Sequence, residues 1–355
     1  MIKVLVVDDT IFYRKIISDV LSEMPNVEVV GTANNGSIAL SRIKTTKPDL
    51  ITLDVEMPVM NGLELLAAIQ KDNIDVDAVM LSSKTDKGSE ATMQALELGA
   101  FDFISKPDEE SPGANKAFIK KALAKIMQAY GRRREMKSKG GGLLLSRKPV
   151  ASQAKVVFRK LKRTEKSHMV AIGISTGGPQ ALAKMLPMLP ADIGVPVFIV
   201  QHMPPLFSAS MAKSLDKKCS LTVKEAVNGE EVRPNTIYIA PGDKQMMVAS
   251  GVGMKKIIRV NDDPPENNCR PAADYLFRAV AREYGSKATC VIMTGMGVDG
   301  RLGLTVAKAA GAVSIAQNAE TCVVYGMPKV VIEAKLADVV APLDKIAEEI
   351  LKTLK

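Results

Sequence analysis

The sequence has few of the residues that build disulfide scaffolds and zinc sites. It contains four cysteines, two histidines and no tryptophan, and aromatic residues make up 4% of the chain. The cysteines are far apart and form no C-x-x-C pair, which argues against a disulfide framework or a zinc site and fits a reducing compartment. No segment approaches the roughly 20 apolar residues of a membrane span. The N-terminal MIKVLVVDD is typical of a strand and not of a signal peptide, so we expect a cytoplasmic protein with an aliphatic core and no membrane insertion.

The net charge of +9 at pH 7 at first suggests a nucleic-acid or membrane-surface partner. Residues 131–166 hold 13 Lys and Arg against two Glu and therefore carry +11, so the rest of the chain sums to −2. The excess charge belongs to one segment, and we expect no nucleic-acid partner. That segment has two possible roles: it is either a solvated tether or a site of electrostatic docking to an acidic receptor or kinase surface.

The order of apolar runs predicts two α/β domains. In residues 1–130, five short apolar runs are each followed by a helical pattern, as in a doubly wound (βα)5 parallel sheet. Residues 131–166 are predicted to be a basic flexible linker with room for a short helix near 154–163. Strand-helix alternation resumes in residues 167–355, which predicts a second doubly wound parallel sheet. Turn-rich short segments over 221–260 predict a small antiparallel insertion in it.

Carboxylates follow two predicted strands of the first domain. Asp8 and Asp9 come directly after the first predicted strand, and Asp54 comes directly after the third. Because open α/β sheets bind ligands at the carboxyl ends of their strands, these side chains should converge. A hard divalent cation such as Mg²⁺ would hold the three like charges ionised. Strand-end aspartates can also merely cap the next helix, but Ser82 and Lys106 at two further strand ends favour a site for a phosphorylated aspartate.

Four segments of this domain resemble a response-regulator receiver domain, and the resemblance covers residues 1–125. They are VVDD at 6–9, LDVEMPVMNGLELL at 53–66, MLSS at 80–83 and FISKP at 103–107. The resemblance implies a sensor histidine kinase as the phosphodonor. It also implies a set of site residues: Asp54 as the phosphoacceptor, Asp8, Asp9, Asp54 and the backbone carbonyl of Glu56 as Mg²⁺ ligands, and Ser82 and Lys106 as contacts of the phosphoryl group.

A glycine-rich turn, GISTGGP at 173–179, follows the first predicted strand of the second domain and opens a helix. Such a turn at a helix N-terminus can bind phosphate. The G-x-S-x-G pattern can instead expose Ser175 as a nucleophile beside backbone N–H groups. Plain turn glycines are a third interpretation, and the pattern alone does not decide among them.

A serine nucleophile needs a base that accepts its proton. His168 lies at the linker boundary and is expected to be exposed, whereas His202 follows the apolar run 197–200 at the same kind of strand end as Ser175. Asp299 lies in a glycine-rich loop just past another apolar run. Ser, His and Asp at three strand ends make a triad the simplest interpretation. Their chain order differs from that of the α/β-hydrolases, which indicates an unrelated fold with the same chemistry.

Segments AIGISTGGP at 171–179, VQHMPP at 200–205, YIAPGD at 238–243 and MTGMGVDG at 293–300 closely resemble the catalytic domain of the chemotaxis protein-glutamate methylesterases. The resemblance runs through residues 167–350 and implies hydrolysis of γ-glutamyl methyl esters, with deamidation of glutamines, on methyl-accepting chemotaxis receptors. It implies no cofactor in this domain. The implied roles are Ser175 as nucleophile, His202 as general base and then acid, Asp299 as the group that orients the imidazole, and Thr176, Gly177 and Met296 as oxyanion-hole candidates.

Two other functions would use other features of the same sequence. In a transcriptional regulator the basic segment would contact DNA, but the strand-helix alternation does not fit a compact helix-turn-helix. A nucleotide-binding module would use the glycine turn, yet the turn lacks the lysine of a P-loop. The two-domain order suggests a switch in which the unphosphorylated receiver covers the Ser175 site and phosphorylation of Asp54 releases it.

Overall fold

The computed structural model describes residues 1–107, 112–138, 157–158 and 165–355. The chain divides into two compact units, Met1–Arg132 and Arg133–Lys355. Most of the basic segment predicted to be a linker lies outside the described residues.

The first unit is a five-stranded parallel sheet with a helix after each strand, as the sequence predicts. The strands are β1 Ile2–Val7, β2 Val27–Ala33, β3 Leu50–Asp54, β4 Asp77–Ser82 and β5 Asp102–Ser105. The helices are α1 Ile11–Ser22, α2 Gly36–Thr46, α3 Gly62–Lys71, α4 Asp86–Glu97 and α5 Pro112–Ser138. The strand order β2-β1-β3-β4-β5 is that of a doubly wound fold whose ligand crevice lies outside the carboxyl ends of β1 and β3. Helix α5 continues past residue 130, where we predicted the linker to begin.

Local signals in the sequence start the helices of this unit. Asn61 and Glu64 form a capping box at α3, each side chain accepting the other's backbone N–H at 2.9 Å. Thr10 accepts the Tyr13 N–H at the start of α1. These caps satisfy donors that the first helical turn leaves unpaired. They fix the starts of α1 and α3 beside the sheet edge that carries the acidic residues.

The described residues of the second unit form an eight-stranded sheet, a two-stranded hairpin and six α-helices. The strands are β6 Val157–Phe158, β7 Met169–Ile174, β8 Val197–Gln201, β9 Thr222–Glu225, β10 Thr236–Ile239, β11 Gln245–Ser250, β12 Lys256–Asn261, β13 Ala288–Ile292, β14 Val313–Gln317 and β15 Val339–Ala341. The helices are α6 Gly178–Met185, α7 Phe207–Asp216, α8 Ala273–Tyr284, α9 Arg301–Ala309, α10 Met327–Glu333 and α11 Leu343–Leu354. The sheet order is β6-β15-β14-β13-β7-β8-β10-β9, parallel except for β6.

The structure differs from the sequence predictions at two places in this unit. Strands β9 and β10 lie within the segment 221–260 but extend the parallel sheet, so only β11 and β12 form the antiparallel insertion. Residues 157–158 are an edge strand paired with β15, not part of a short helix near 154–163. In both cases pairing with a distant segment of the chain determines the structure, and local composition does not predict that pairing.

The core of both sheets is apolar. Residues Val4–Val7 of β1 and all of β7 are buried, because helices cover both faces of a doubly wound sheet. The second unit also buries a few large aromatic side chains beside its aliphatic residues, among them Phe198, whose ring stacks on Tyr238 at 5.6 Å. None of the helices in the described part of the chain has the length and apolarity needed to cross a lipid bilayer.

Candidate functional site

The first unit brings its predicted acidic residues together at the sheet edge. Asp8 follows β1 and Asp54 ends β3, and carboxylate oxygens of Asp8, Asp9 and Asp54 lie within 4.8 Å of one another. Asp8 and Asp54 are buried, whereas Asp9 is exposed. Lys106, just beyond β5, places Nζ 2.9 Å from Asp8 Oδ2 and 2.7 Å from Asp54 Oδ2.

Burial and charge act in opposite directions on this cluster. The pKa of Asp54 is raised to about 6: burial raises it most, the Lys106 ammonium opposes this, and the neighbouring Asp8 charge adds to the rise. Burial lowers the pKa of Lys106, but the Asp54 and Asp8 carboxylates outweigh that effect and raise it above its usual value. Two buried carboxylates therefore share one cation at the crevice.

The residues present fit a small divalent cation. Asp8 Oδ1 accepts hydrogen bonds from the backbone N–H and hydroxyl of Thr10, whereas its buried Oδ2 has the Lys106 ammonium, 2.9 Å away, as its one partner among the described residues. An oxygen-rich, negatively charged cluster of this kind matches the preference of Mg²⁺.

Ser82 is buried at the end of β4, and its hydroxyl donates to backbone carbonyls of Ser83 and Gly88. Glu56 is exposed.

In the second unit, Ser175 follows the central strand β7 and is 2% exposed. Its N–H donates to the Thr294 carbonyl at 2.9 Å, and its carbonyl accepts from the Gly178 N–H at 2.7 Å. The turn after it needs Gly177 in the left-handed region, with φ 77°, before α6 begins. The serine therefore sits on a tight strand-to-helix turn.

Close packing around this turn leaves no room for a side chain at Gly295. A Cβ atom there would lie 2.7 Å from Cβ of Ser175 and 2.5 Å from Sδ of Met327. Close by, the backbone N–H groups of Thr176, Gly177 and Met296 have no hydrogen-bond acceptor among the described residues. These three residues are the oxyanion-hole candidates.

His202 directly follows β8, the neighbour of β7 in the sheet. Ile174 and Gln201 are register partners at the ends of these strands, and the His202 N–H donates to the Ile174 carbonyl at 3.2 Å. Gln201 is buried, and its Nε2 donates to the carbonyls of Ser175 and His202 at 3.1 Å each. Ser175 and His202 are thus the next residues on two adjacent parallel strands.

The buried Asp299 collects donors from several elements. Its Oδ2 lies 2.7 Å from Nε2 of His202 and accepts the Ala273 N–H at 2.6 Å. Its Oδ1 accepts the N–H groups of Asp274 and Gly300 at 3.0 and 2.9 Å. Two of these amides belong to the first residues of α8, whose N-terminus favours a negative charge.

The His202–Asp299 pair is polarised toward the ionised forms. Burial alone would lower the pKa of His202, but its hydrogen bonds to Asp299 and Cys269 raise it to about 9. Burial would raise the pKa of Asp299, but the His202 hydrogen bond and the amides of α8 hold it below its usual value. Ser175 Oγ has no hydrogen-bond partner in the described part of the chain. The structure therefore brings His202 and Asp299 into direct contact and places Ser175 beside them without a bond to the ring.

Two side chains that contact this pair were not predicted from the sequence. Asn267 Nδ2 donates to Asp299 Oδ1 at 3.1 Å, and Cys269 Sγ lies 3.6 Å from His202 Nδ1. Both belong to the segment NNCRP between β12 and α8, where no strand end marks them. His168 is exposed, as expected.

Two family models match the chain, CheB methylesterase over residues 170–350 and response regulator receiver domain over residues 4–113. A protein of Desulfotalea psychrophila named protein-glutamate methylesterase/protein-glutamine glutaminase is 54% identical, with 100% of this chain and 99% of that protein covered. A Bacillus subtilis protein of the same name is 43% identical with the same coverage. The crystal structure of the Thermotoga maritima CheB methylesterase catalytic domain aligns with a TM-score of 0.51 and 45% identity, covering 53% of this chain and 99% of that one.

Proposed function

Because the chain belongs to the CheB methylesterase family and has a response-regulator receiver domain at its N-terminal end, we propose that it uses Ser175, His202 and Asp299 to hydrolyse glutamate γ-methyl esters on methyl-accepting chemotaxis receptors. Deamidation of receptor glutamines is the second activity, in keeping with the double name of the full-length relatives. The observation that carries the proposal is the hydrogen-bonded His202–Asp299 pair at the strand end next to Ser175.

The first half of the reaction forms an acyl-enzyme. With its Nε2–H directed at Asp299, a neutral His202 has its lone pair on Nδ1, which accepts the Ser175 hydroxyl proton as Oγ attacks the γ-carbonyl carbon. The tetrahedral intermediate collapses when the imidazolium returns this proton to the leaving group. Methanol leaves from an ester, and ammonia leaves from a glutamine amide. In the second half, water attacks the acyl-enzyme ester while His202 takes its proton. The bond between the acyl carbon and Ser175 Oγ then breaks, the imidazolium returns the proton to Oγ, and the glutamate side chain is released as the acid, which ionises to the carboxylate.

The negative oxygen of the tetrahedral intermediate needs donors that the ground state does not use. The backbone N–H groups of Thr176, Gly177 and Met296, which lack acceptors in the described part of the chain, supply them in this proposal. Both substrates pass through the same oxyanion, so one site serves an ester and a primary amide.

The receiver domain makes the activity respond to phosphorylation. In this proposal a histidine kinase transfers a phosphoryl group to Asp54, and Ser82 and Lys106 contact it through a hydroxyl and an ammonium. Asp8, Asp9, Asp54 and the Glu56 carbonyl would hold Mg²⁺, which when bound offsets the negative charge at the phosphoryl oxygens. The buried ion pairs of Lys106 with Asp8 and Asp54 support this part of the proposal.

The deciding experiment is release of methanol from methylated receptor membranes. Wild-type protein should release it, and Ser175→Ala and His202→Gln should reduce the rate to the level of the membranes alone. The exposed Ser220 and His168 offer matched controls, so Ser220→Ala and His168→Gln should keep the wild-type rate. Retention of activity by Ser175→Ala would contradict the assigned nucleophile.

Regulation is tested with the same assay and a small-molecule phosphodonor. The donor should raise the wild-type rate and leave that of Asp54→Ala unchanged, while Ser175→Ala stays inactive with and without it. Equal activation of wild type and Asp54→Ala would contradict phosphorylation at this residue.

A further inference from the structure

A short turn between β12 and α8 reaches the His202–Asp299 pair from outside the strand ends. In this turn, defined as residues 266–269, Glu266 and Cys269 exchange backbone hydrogen bonds at 3.0 and 2.7 Å. Asn267 and Asn268 between them both have positive φ angles, 51° and 58°. Asparagine tolerates this left-handed region better than most residues. The conformation directs the side chains of Asn267 and Cys269 at the His202–Asp299 pair.

Asn267 contacts the acidic side of the pair. Its Nδ2 donates to Asp299 Oδ1 at 3.1 Å and to Asp274 Oδ2 at 2.9 Å. Asp274 is itself buried and accepts the Gly303 N–H. The turn is therefore anchored to two carboxylates that are fixed by backbone donors, so its position relative to His202 is well defined.

Cys269 contacts the imidazole. Its Sγ lies 3.6 Å from Nδ1 of His202 and 3.5 Å from the Asn267 carbonyl oxygen, to which the thiol donates. With the S–H directed at that carbonyl, the sulfur presents lone pairs to Nδ1. Sulfur is a weak acceptor, but the hydrogen bond is strengthened when the donor is an imidazolium N–H. The ring is thus held between Asp299 at Nε2 and Cys269 at Nδ1.

A protonated Nδ1 that donates to Cys269 cannot act as the base, because Nδ1 must be unprotonated to accept the Ser175 proton. We propose that Cys269 is a positioning residue that holds Nδ1 of His202 in its protonated form in the resting enzyme and so sets the pH at which the esterase becomes active. This inference rests on the proposed function, since it assigns a role to a neighbour of the proposed base.

Among the residues that the structure describes, the other charged groups near His202 have partners of their own and leave Nδ1 to Cys269. Asp299 takes Nε2, and Asp274 of α8 is bound to Asn267 and to the Gly303 amide. Arg278, further along α8, pairs with Glu266 of the turn. The hydrogen bond to Cys269 acts with the hydrogen bond and charge of Asp299 to raise the pKa of His202 against burial, so removal of Sγ should lower it.

The direct test is an NMR titration of the imidazoles in the full-length chain. The sequence has two histidines, and His168→Gln identifies the His202 signal. Cys269→Ala should lower the His202 midpoint by about half a pH unit or more, and Cys269→Ser, which keeps a hydroxyl acceptor, should lie between it and wild type. Cys219→Ala, at a partly buried cysteine after α7, is the matched control and should leave the midpoint unchanged.

The kinetic test separates this role from a structural one. Removing Sγ should shift the rise of kcat/KM to lower pH by the same amount and raise the rate at pH 7 about threefold or more, since each pH unit is tenfold. The plateau at high pH should stay within about twofold of wild type, because Asp299 still orients the ring. An unchanged midpoint in Cys269→Ala, or a lower plateau with an unchanged midpoint, would overturn the proposal.

The proposed function and the role of Cys269 can be contradicted by different results. Absence of methanol release by wild type, or equal release by Ser175→Ala, contradicts the proposed function. The NMR midpoint of His202 still decides whether Cys269 binds its Nδ1. An active wild type with superimposable profiles for Cys269→Ala contradicts the inference about Cys269 alone.

Discussion

Nε2 of His202 lies 2.7 Å from Oδ2 of Asp299, and both side chains are almost fully buried, at 7% and 2% exposed. A charged pair taken out of water is stable only when further hydrogen bonds compensate its desolvation. Asp299 meets this condition with three backbone amides and Asn267. The pair therefore fixes which ring nitrogen faces the carboxylate and which remains to act as a base.

The pH dependence of wild-type hydrolysis follows from this pair. Its hydrogen bonds raise the pKa of His202 to about 9 against the effect of burial, and only the neutral imidazole can accept the serine proton. We expect kcat/KM to rise about tenfold per pH unit between pH 7 and 8 and to level off near pH 9. Methanol release from receptor membranes measures it, with Ser175→Ala subtracted as the background of alkaline ester hydrolysis. A flat profile over this range would contradict a buried, charged His202.

Loss of the carboxylate charge should affect both rate and pH profile. In Asp299→Asn, a carboxylate that accepts hydrogen bonds from three backbone N–H groups is replaced by an amide, whose NH2 group can only donate. The substitution also removes the charge that stabilises the imidazolium. We expect kcat to fall by about 10³- to 10⁴-fold, as in other triads that lose this charge, and the residual activity to level off at lower pH. The half-exposed ion pair of Asp262 with Lys244 supplies the control, Asp262→Asn, which should behave as wild type.

Much of the fold and part of the site could be predicted from the sequence. The alternation of apolar runs with helical patterns identifies parallel sheets, and a residue directly after such a run must lie at the ligand-binding edge. Asp8, Asp54, Ser175 and His202 are of this kind, and the structure places each at such an edge.

The remainder depends on contacts between distant segments. Cys269 contacts His202, which lies 67 residues earlier in the sequence. The turn that holds Cys269 has no periodic pattern, and the composition of the turn does not predict the contact. Strands β9 and β10 have turn residues around them like a hairpin, yet β10 pairs in parallel with β8. Which neighbour a short strand chooses is decided by the whole sheet and not by local propensity.

The buried phosphoacceptor candidate should lower the stability of the receiver domain at neutral pH. Burial raises the pKa of Asp54 from 3.8 to about 6 despite its contact with Lys106, so the folded state binds the proton more tightly than the unfolded state. The resulting penalty is absent below about pH 4 and complete above about pH 6, on the order of 3 kcal/mol. Asp54→Asn should therefore raise the Tm of the receiver transition at pH 7, and the gain should vanish at pH 4.

Scanning calorimetry of the full chain measures this difference. Asp72→Asn removes a half-exposed carboxylate that pairs with Lys44 on the surface, and surface pairs contribute little, so its Tm should match that of wild type at both pH values. A lower Tm for Asp54→Asn than for wild type at pH 7 would show that the ion pair with Lys106 outweighs burial.

Magnesium should stabilise the same transition through the acidic cluster. A ligand that binds only the folded state raises its stability with concentration, by about 1.4 kcal/mol for each tenfold increase above Kd. We expect the Tm of the receiver transition to rise with added Mg²⁺ at constant ionic strength, and Asp9→Asn to reduce the shift strongly because it removes one carboxylate of the cluster. Asp19→Asn, an exposed acid on α1, should keep the full shift. An equal shift in Asp9→Asn and wild type would mean that Mg²⁺ binds elsewhere, since a site built on three carboxylates cannot lose one without losing affinity.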